Sequence, residues 1–544
     1  MITFPEDLSL ARYFLFDRLA EGLGKKTALR FGDRSWTYEA VADKTRRMTG
    51  LFASSGIRRG ERVLIILPDV PPFAWTFFAT LARGAVVAMG NPLAPPETLQ
   101  YLVGYTRATA IVTVPHVAEI LRPLVESDES EVQAMFVVPD APTGSDPESR
   151  ISGTSFTGKV KELAPALEAA RPMEPVKVHR DEPAIWLFTS GSTGEPKANV
   201  HTHRDFAFNT EVYAKKTVGY RRDDVTISVP RLFFGYATGT NLMFPFAVGA
   251  TAGLFSERPT PESVAGAIAM YRATVVTNVP TMLGKLLEHD AELTKAGKPG
   301  LDLSSIRFSL SAGEALPEPL LRRWLDRFRS DVYDGIGSAE MFHIYASNRP
   351  GDIKPGSLGK VVEGYELRIL PEEAEGAGAT PCAPGEIGVL WVKGDSVSQA
   401  YWLDRDKSWR TFHGHWCRTG DLFRIDAEGY LYFAGRADDL LKVGGQWVAP
   451  LEVEECLLEH PAVAAVAVIG IEEEGLVKTK AFIVARAGHA ATPELATELQ
   501  EYVRTNLAKY KYPRVIEFVD DLPKNDRGKV DKKALRARGA GGPR

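Results

Sequence analysis

Cysteine is scarce. Three thiols, Cys382, Cys417 and Cys456, serve 544 residues. No pair has zinc-ligand spacing, and a sparse, odd count builds no disulfide framework. A reducing cytoplasm is therefore the expected compartment. A basic excess is lacking too: the net charge is −5 at pH 7. That argues against nucleic acid as a partner, because such binders carry a surplus of Lys and Arg. No apolar run is long enough to cross a membrane. The most apolar stretch, PPFAWTFFATLARGAVVAMG, is interrupted by Arg83 and by Gly and Pro, and reads as a buried helix and strand. The first residues, MITFPEDLSLARYF, show no basic region followed by an apolar stretch, so no signal peptide is expected. No internal repeat or long low-complexity tract interrupts the chain.

What is present suits a large globular enzyme-sized chain. Hydrophobic residues make up 44% and charged residues 25%, an ordinary balance. The length predicts more than one folding unit. Helical and strand patterns alternate through YEAVADKTRRMTGLFASSG, RVLIILP, TLQYLVGYTRATAIVTV, PESVAGAIAMYRATVVTNVP and PLLRRWLDRFRSDVYDGIG. Such alternation predicts an α/β architecture with parallel pairing. From Gly356 to Tyr432 short strands dominate (GYELRIL, GEIGVLWVKG, LFRIDAEGYLYFAG), predicting a β-rich subdomain. A further α/β pattern follows. The charged stretch Arg436–Asp438 separates the two, which puts the boundary between a domain of residues 1–436 and one of residues 437–544. The Gly-, Ser-, Glu- and Pro-rich segment Thr143–Pro175 is expected to be a surface excursion.

The segment FTSGSTGEPK, Phe188 to Lys197, cannot build a core. A loop of Ser, Thr and Gly can bring hydroxyls and backbone N–H groups onto phosphate oxygens, with glycine allowing close approach and lysine adding a point charge. It is not a Walker loop, because Glu195 and Pro196 separate Gly194 from Lys197. Four other segments point the same way. SAGEALP (Ser311–Pro317) follows the strand pattern RFSL and offers small residues against which a flat purine can lie. DGIGSAE (Asp334–Glu340) ends in a carboxylate, and oxygen ligands suit Mg²⁺ beside phosphate. Asp421 follows a Thr-Gly turn, and one carboxylate can accept from both hydroxyls of a ribose. Lys529 follows Gly528 in LPKNDRGKVDKKALR. Each has a plainer reading: a capped turn, a helix start, or one cation in a solvated basic tail.

Taken in order, FTSGSTGEPK, AGEALP, RTGD, GRADDLLKVGGQWVAPLEVE and PKNDRGK resemble the motifs of the adenylate-forming superfamily, which holds acyl-CoA ligases, peptide-synthetase adenylation domains and firefly-type luciferases. The resemblance runs over essentially the whole chain. It implies a large N-terminal domain of two α/β subdomains plus a β-rich subdomain, and a smaller mobile α+β C-terminal domain. It implies ATP and CoA as cosubstrates and Mg²⁺ as cofactor. Thr189, Ser190, Ser192, Thr193 and Lys197 match the phosphate loop. Gly313, Glu314 and Ala315, with Asp334, Gly335 and Ile336, match segments that enclose adenine, and Ser338 adjoins them. Glu340 matches the magnesium ligand, Asp421 the ribose-binding carboxylate and Arg436 its basic neighbour. Asp438 matches the hinge about which the C-terminal domain rotates, and Lys529 the adenylation lysine. Gly444, Gly445 and Trp447 resemble the loop that lines the thiol channel. There are departures: Ala339 stands where the family has Thr, Ala198 replaces a usual Gly, Asn525 a usual Thr and Lys532 a usual Arg. The missing hydroxyl at 339 bears most on rate, since a hydrogen bond to a charged partner is worth ~1.5–3 kcal/mol.

Within the superfamily, LFFGYATG and DGIGSAEMFHIYASN resemble the benzoate-type CoA ligases. Phe234, Gly235, Tyr236, Gly337 and His343 are accordingly the expected aryl acid pocket, since glycine and aromatic walls suit a flat ring. His343 is expected to meet the substrate carboxylate or an ortho substituent, which would admit 2-aminobenzoate or 2-hydroxybenzoate. The same nucleotide motifs would serve a free-standing enzyme that loads an aryl acid onto a carrier protein, or a luciferase-like oxidase. Ala339 alone favours a nucleotide-binding regulator with weakened catalysis.

Overall fold

A computed structural model describes residues 2–151, 156–190, 195–314, 316–436, 441–443, 446–473, 476–523 and 530–539. The chain divides into two compact units. One comprises Met1–Leu367, Val392–Arg418 and Gly429–Leu431; the other comprises Arg368–Trp391, Thr419–Glu428 and Tyr432–Arg544.

The first unit is built on two large sheets. An eight-stranded sheet runs in the order 400–401, 196–202, 183–190, 86–89, 62–66, 108–113, 134–137, 160–162. It is parallel from 183–190 onward and antiparallel at the edge that carries the 183–190/196–202 hairpin. A nine-stranded sheet has the order 360–361, 344–347, 331–337, 308–311, 275–278, 225–228, 251–254, 27–31, 34–37. Its central strands are parallel and its edges antiparallel. The expected helix–strand alternation is realised element by element: helix Tyr38–Ser54 precedes strand Arg62–Ile66, and helix Pro261–Tyr271 precedes Val275–Asn278.

Helix Pro71–Ala82 shows why its sequence is apolar on every side. All twelve residues are buried. The helix packs on strands Arg62–Ile66 and Val86–Met89 of the first sheet and on Thr27–Phe31 of the second. Phe73, Phe77 and Phe78 form a chain of ring contacts that reaches Phe246. Among the described residues no helix is long and apolar enough to cross a membrane.

Thr143–Pro175 departs from expectation. Strand Val160–Glu162 extends the parallel sheet beyond Ala134–Val137, and helix Leu163–Ala169 packs on helix Tyr38–Ser54. Only Val160, Leu163 and Leu167 are buried there, too few apolar positions to mark a strand and a helix in the sequence. The β-rich stretch forms a five-stranded sheet of 366–370, 388–393, 412–413, 416–425 and 431–436. The second unit holds a three-stranded sheet in which Val463–Glu473 and Leu476–Ala485 pair antiparallel and Val515–Phe518 adds in parallel. Helices Pro450–Leu458 and Pro493–Asn506 complete its core with Leu457, Leu499 and Val503.

The helix between the sheets sets the stability of the first unit. Truncating Phe77 to Ala is expected to destabilise it by ~3–5 kcal/mol, measured by urea unfolding; a loss below ~1 kcal/mol would contradict this packing.

Candidate active site

Parallel pairing in the nine-stranded sheet aligns the ends of three strands. Asn278 lies opposite Ser311, and Ser311 opposite Asp334. The chain then leaves the sheet in the turns that carry Gly313–Glu314 and Ser338–Glu340. Ligands of open α/β sheets gather at such carboxyl ends. Glu314 Oε2 accepts hydrogen bonds from Thr281 Oγ1 (2.6 Å) and Thr281 N (3.3 Å), which ties the two turns after 278 and 311 together. Gly335 and Ile336 pair with Ser347 and Ala346 on the antiparallel return strand.

Asp334 is 4% exposed. Burial pushes its carboxyl up to about 8, with the neighbouring Ser311 and Gly335 pulling weakly the other way. The acid is therefore largely protonated at neutral pH.

The described ends of FTSGSTGEPK belong to the strands Pro183–Ser190 and Pro196–Thr202, which pair antiparallel. Thr189 lies opposite Lys197, and Ser190 opposite Pro196. Pro196 thus opens a strand, in keeping with a loop that does not start a helix. Lys197 Nζ contacts Asp404 Oδ2 at 2.6 Å. Burial raises the Asp404 carboxyl, but Lys197 and the Lys407 N–H more than offset it, so the acid sits below its usual range. Asp404 in turn caps helix Arg405–Thr411. Strand Pro183–Ser190 packs against the turn Ala339–Met341. Two hydroxyls there, Thr189 Oγ1 and Ser338 Oγ, are buried and have no hydrogen-bond partner among the described residues.

The turn that carries Glu340 is held from three sides. The Ser398 N–H donates to the Glu340 carbonyl at 2.8 Å. Tyr401 Oη donates to Glu340 Oε1 at 2.7 Å. His201 Nε2 lies 2.6 Å from the Ala339 carbonyl. Glu340 is the one acidic side chain at this turn, and among the described residues no cluster of three or more His, Cys, Asp or Glu is arranged for a metal. A hard cation here would take one protein carboxylate and draw its remaining oxygens from phosphate and water, which is the habit of Mg²⁺. The orphaned hydroxyls beside it fit a phosphate-bearing ligand.

Of the expected aryl acid residues, Tyr236 and Gly337 adjoin His343, and Phe234 and Gly235 are not shown against it. Its ring is buried among Tyr213, Tyr236, Phe244 and Phe342, with centroids 4.8–5.6 Å away. Nε2 lies 3.1 Å from the Tyr236 carbonyl. A carbonyl only accepts, so the proton sits on Nε2 and Nδ1 carries a lone pair, with no partner among the described residues. Burial holds the imidazole down at about 3, so it is neutral at any working pH. Tyr236 Oη is likewise buried without a described partner. A Cβ on Gly337 would stand 2.5 Å from the His343 carbonyl oxygen, and one on Gly239 would stand 2.6 Å from the imidazole ring. These two glycines leave room for the histidine. Gly235 abuts Leu187. Phe234 is 45% exposed and packs at a tilt against Phe233.

In the second unit Arg436 Nε and Asp421 Oδ1 are 3.0 Å apart, so those two expected nucleotide residues do lie together. Ser192, Thr193, Ala315, Asp438, Gly444, Gly445 and Lys529 lie outside the described residues, as do the side chains of Ser190 and Trp447. Sequence reasoning did not single out Tyr401, Asp404 or the His201–Asp205 pair. HTHRD, directly after the phosphate loop, was the available signal for the pair; Tyr401 is brought to Glu340 only by the fold.

The raised Asp334 carboxyl has a stability consequence. Its folded value of about 8 exceeds the ordinary 3.8, so the stability it confers is complete below that lower value and is lost as pH rises through about 8. Asp334→Asn is therefore expected to gain in thermal midpoint relative to wild type as pH is raised from ~5 to ~9. A midpoint difference that stays constant with pH would contradict this protonation state.

The AMP-binding enzyme family matches residues 16–402, and the AMP-binding enzyme C-terminal domain matches residues 452–529. A benzoate–CoA ligase of Thauera aromatica is 39% identical over 538 residues, covering 98% of this chain and 97% of its own. Among solved structures, an anthranilate CoA ligase in complex with anthranoyl-AMP superposes with a TM-score of 0.84 at 32% identity, over 99% of this chain and 98% of that one. A benzoate CoA ligase from Burkholderia xenovorans gives 0.82 at 34% identity, over 97% and 99%. The chain belongs to the AMP-binding enzyme family.

Proposed function

We propose that the protein is an AMP-forming ligase that joins an aryl carboxylic acid, benzoate or a substituted benzoate, to CoA. The observation that carries this reading is the set of buried, unpartnered polar atoms. Thr189 Oγ1 belongs to the strand that packs on the Glu340 turn, Ser338 Oγ to the residue that precedes that turn, and His343 Nδ1 and Tyr236 Oη to the aromatic cluster. Buried polar groups are ordinarily satisfied, and a bound nucleotide and aryl acid would satisfy these. The first pair suits phosphate and the second suits an aryl acid.

In the first half-reaction a carboxylate oxygen of the acid attacks the α-phosphorus of ATP. The bond from that phosphorus to the bridging oxygen breaks, and pyrophosphate leaves with the electron pair. Glu340 would hold Mg²⁺, which, when bound, screens the phosphate charge that otherwise repels the incoming carboxylate. The hydroxyls of Thr189, Ser190, Ser192 and Thr193 and the Lys197 ammonium orient the polyphosphate. Gly313, Glu314, Ala315, Asp334, Gly335 and Ile336 enclose the adenine, and Asp421 with Arg436 takes the ribose. Lys529 stabilises charge that develops at the reacting oxygens. In the second half-reaction the CoA sulfur attacks the acyl carbon, the bond to AMP breaks, and the thiol proton passes to solvent. Rotation about Asp438 exchanges Lys529 for the Gly444–Trp447 loop between the two steps.

His343 narrows the acid. A neutral imidazole with its proton on Nε2 cannot pair ionically with a carboxylate, but Nδ1 can accept a hydrogen bond. The favoured ring substituent is therefore an ortho donor, as in 2-aminobenzoate or 2-hydroxybenzoate. All three cysteines are free thiols, which supports a cytoplasmic enzyme. A carrier-protein pantetheine presents the same thiol as CoA and is the second candidate acceptor.

ATP-dependent pyrophosphate release and thioester formation are expected with benzoate and 2-aminobenzoate but not with hexanoate, and with CoA ahead of carrier proteins. Turnover of hexanoate alone would overturn the aryl assignment. Lys529→Ala should slow pyrophosphate release by ~10²–10³-fold; a wild-type rate removes Lys529 from the chemistry. His343→Ala should cut kcat/KM for 2-aminobenzoate ~10-fold more than for benzoate, the loss of one good hydrogen bond. An unchanged ranking removes the ortho contact.

A further inference from the structure

The backbone around Glu340 is unusual. Residues Ala339–Met341 form one tight turn, and Phe342, next in sequence, has φ 67° and ψ −57°. A bulky aromatic residue at positive φ is strained and persists only where its surroundings over-determine it. The determinants come from two separate elements.

The first is the segment after the phosphate hairpin. His201 is fully buried. Its Nδ1 lies 2.9 Å from Asp205 Oδ2, and its Nε2 lies 2.6 Å from the Ala339 carbonyl. A carbonyl can only accept, so Nε2 donates to Ala339 while Nδ1 faces the Asp205 carboxyl. Asp205 is 3% exposed and also accepts from Thr202 N (3.0 Å) and Thr202 Oγ1 (2.6 Å). Its orientation is therefore fixed independently of His201. One residue further, Phe206 lies 3.9 Å, ring to ring, from the strained Phe342. The second element is the short strand Ala400–Tyr401, which pairs with Asn199 and Val200 of the same hairpin. It places the Tyr401 hydroxyl 2.7 Å from Glu340 Oε1, and the preceding Ser398 N–H holds the Glu340 carbonyl.

We propose that Tyr401 and the His201–Asp205 pair are positioning residues for the metal-binding carboxylate: Tyr401 engages Oε1 and leaves Oε2 to the cation, while His201 holds the turn by the Ala339 carbonyl. This rests on the ligase reading above and on Glu340 as the magnesium ligand. It also explains how the chain tolerates a methyl group at 339, where the family carries a hydroxyl. The turn is held through its backbone and through Glu340 itself, with no side-chain bond from 339. Tyr401 and His201 touch neither ATP nor the acid in this account, and act through Glu340.

The test uses the full-length protein and Tyr401→Phe, which removes one hydroxyl and keeps the ring. The half-saturating Mg²⁺ concentration for pyrophosphate release should rise ~10-fold, as expected for losing one hydrogen bond to a carboxylate. The rate at saturating Mg²⁺ should stay within about threefold of wild type. Synthetic benzoyl-AMP plus CoA, a step that uses no polyphosphate, should proceed within about twofold of wild type. Binding of Mn²⁺·ATP, followed by water-proton relaxation without turnover, should weaken by a similar factor. His201→Gln, which retains a single donor, should move the same quantities in the same direction. A Mg²⁺ half-saturation within about twofold of wild type in Tyr401→Phe overturns the proposal while the ligase reading stands. So does an equal loss in both half-reactions with a lowered thermal midpoint, which marks a general structural role. A wild-type enzyme that releases no pyrophosphate with any aryl acid sinks the ligase reading, and the proposal with it.

Discussion

Everything in the proposed chemistry depends on where one carboxylate stands. ATP and an organic acid are both anions, and bringing them within bonding distance is electrostatically unfavourable unless cationic charge is placed between them. The described structure offers one acidic side chain at the turn beside the phosphate hairpin, Glu340. Its position is set by groups from the hairpin strand 196–202, from the helix that follows it and from the 398–401 segment. A strained Phe342 is the sign of how tightly that position is imposed. Backbone strain of this kind costs on the order of 1–3 kcal/mol, and it is offset by ring packing and hydrogen bonds that would otherwise have no common purpose.

The same logic of fixed, buried polar groups shapes the aromatic cluster. His343 is held neutral by burial and oriented by one carbonyl, with glycines at 239 and 337 making room for it. An imidazole in that state discriminates by accepting a hydrogen bond and not by charge, so ring substituents matter more to it than the carboxylate shared by every acid. A second buried pair secures the front of this cluster. Asp69 accepts from the Leu232 N–H at 2.9 Å and lies 3.6 Å from Arg231, which anchors the start of the RLFFGYATG segment to the turn before helix Pro71–Ala82.

Much of this was legible in the sequence because the relevant residues sit in contiguous motifs. Helix–strand alternation pointed to parallel α/β pairing, which the central strands of both large sheets show, since period and punctuation are local properties. The motif order pointed to the candidate nucleotide residues, of which Asp421 and Arg436 are neighbours. What stayed hidden was long-range or weakly patterned. Strand Val160–Glu162 joins a sheet with one buried residue, and nothing local announces it. Tyr401 reaches Glu340 across 61 positions, and Asp404 reaches Lys197 across 207. The burial of His201 and the closeness of the Ala339 carbonyl come from the fold.

The central claim is that a carboxylate oxygen of the acid bonds to the α-phosphorus of ATP. Oxygen isotope transfer tests it most directly. Benzoate labelled with oxygen-18 in its carboxylate is turned over with ATP and CoA, and the AMP is read by mass spectrometry. The account predicts one labelled oxygen in each AMP. Unlabelled AMP, or ADP accompanied by labelled phosphate, would contradict it.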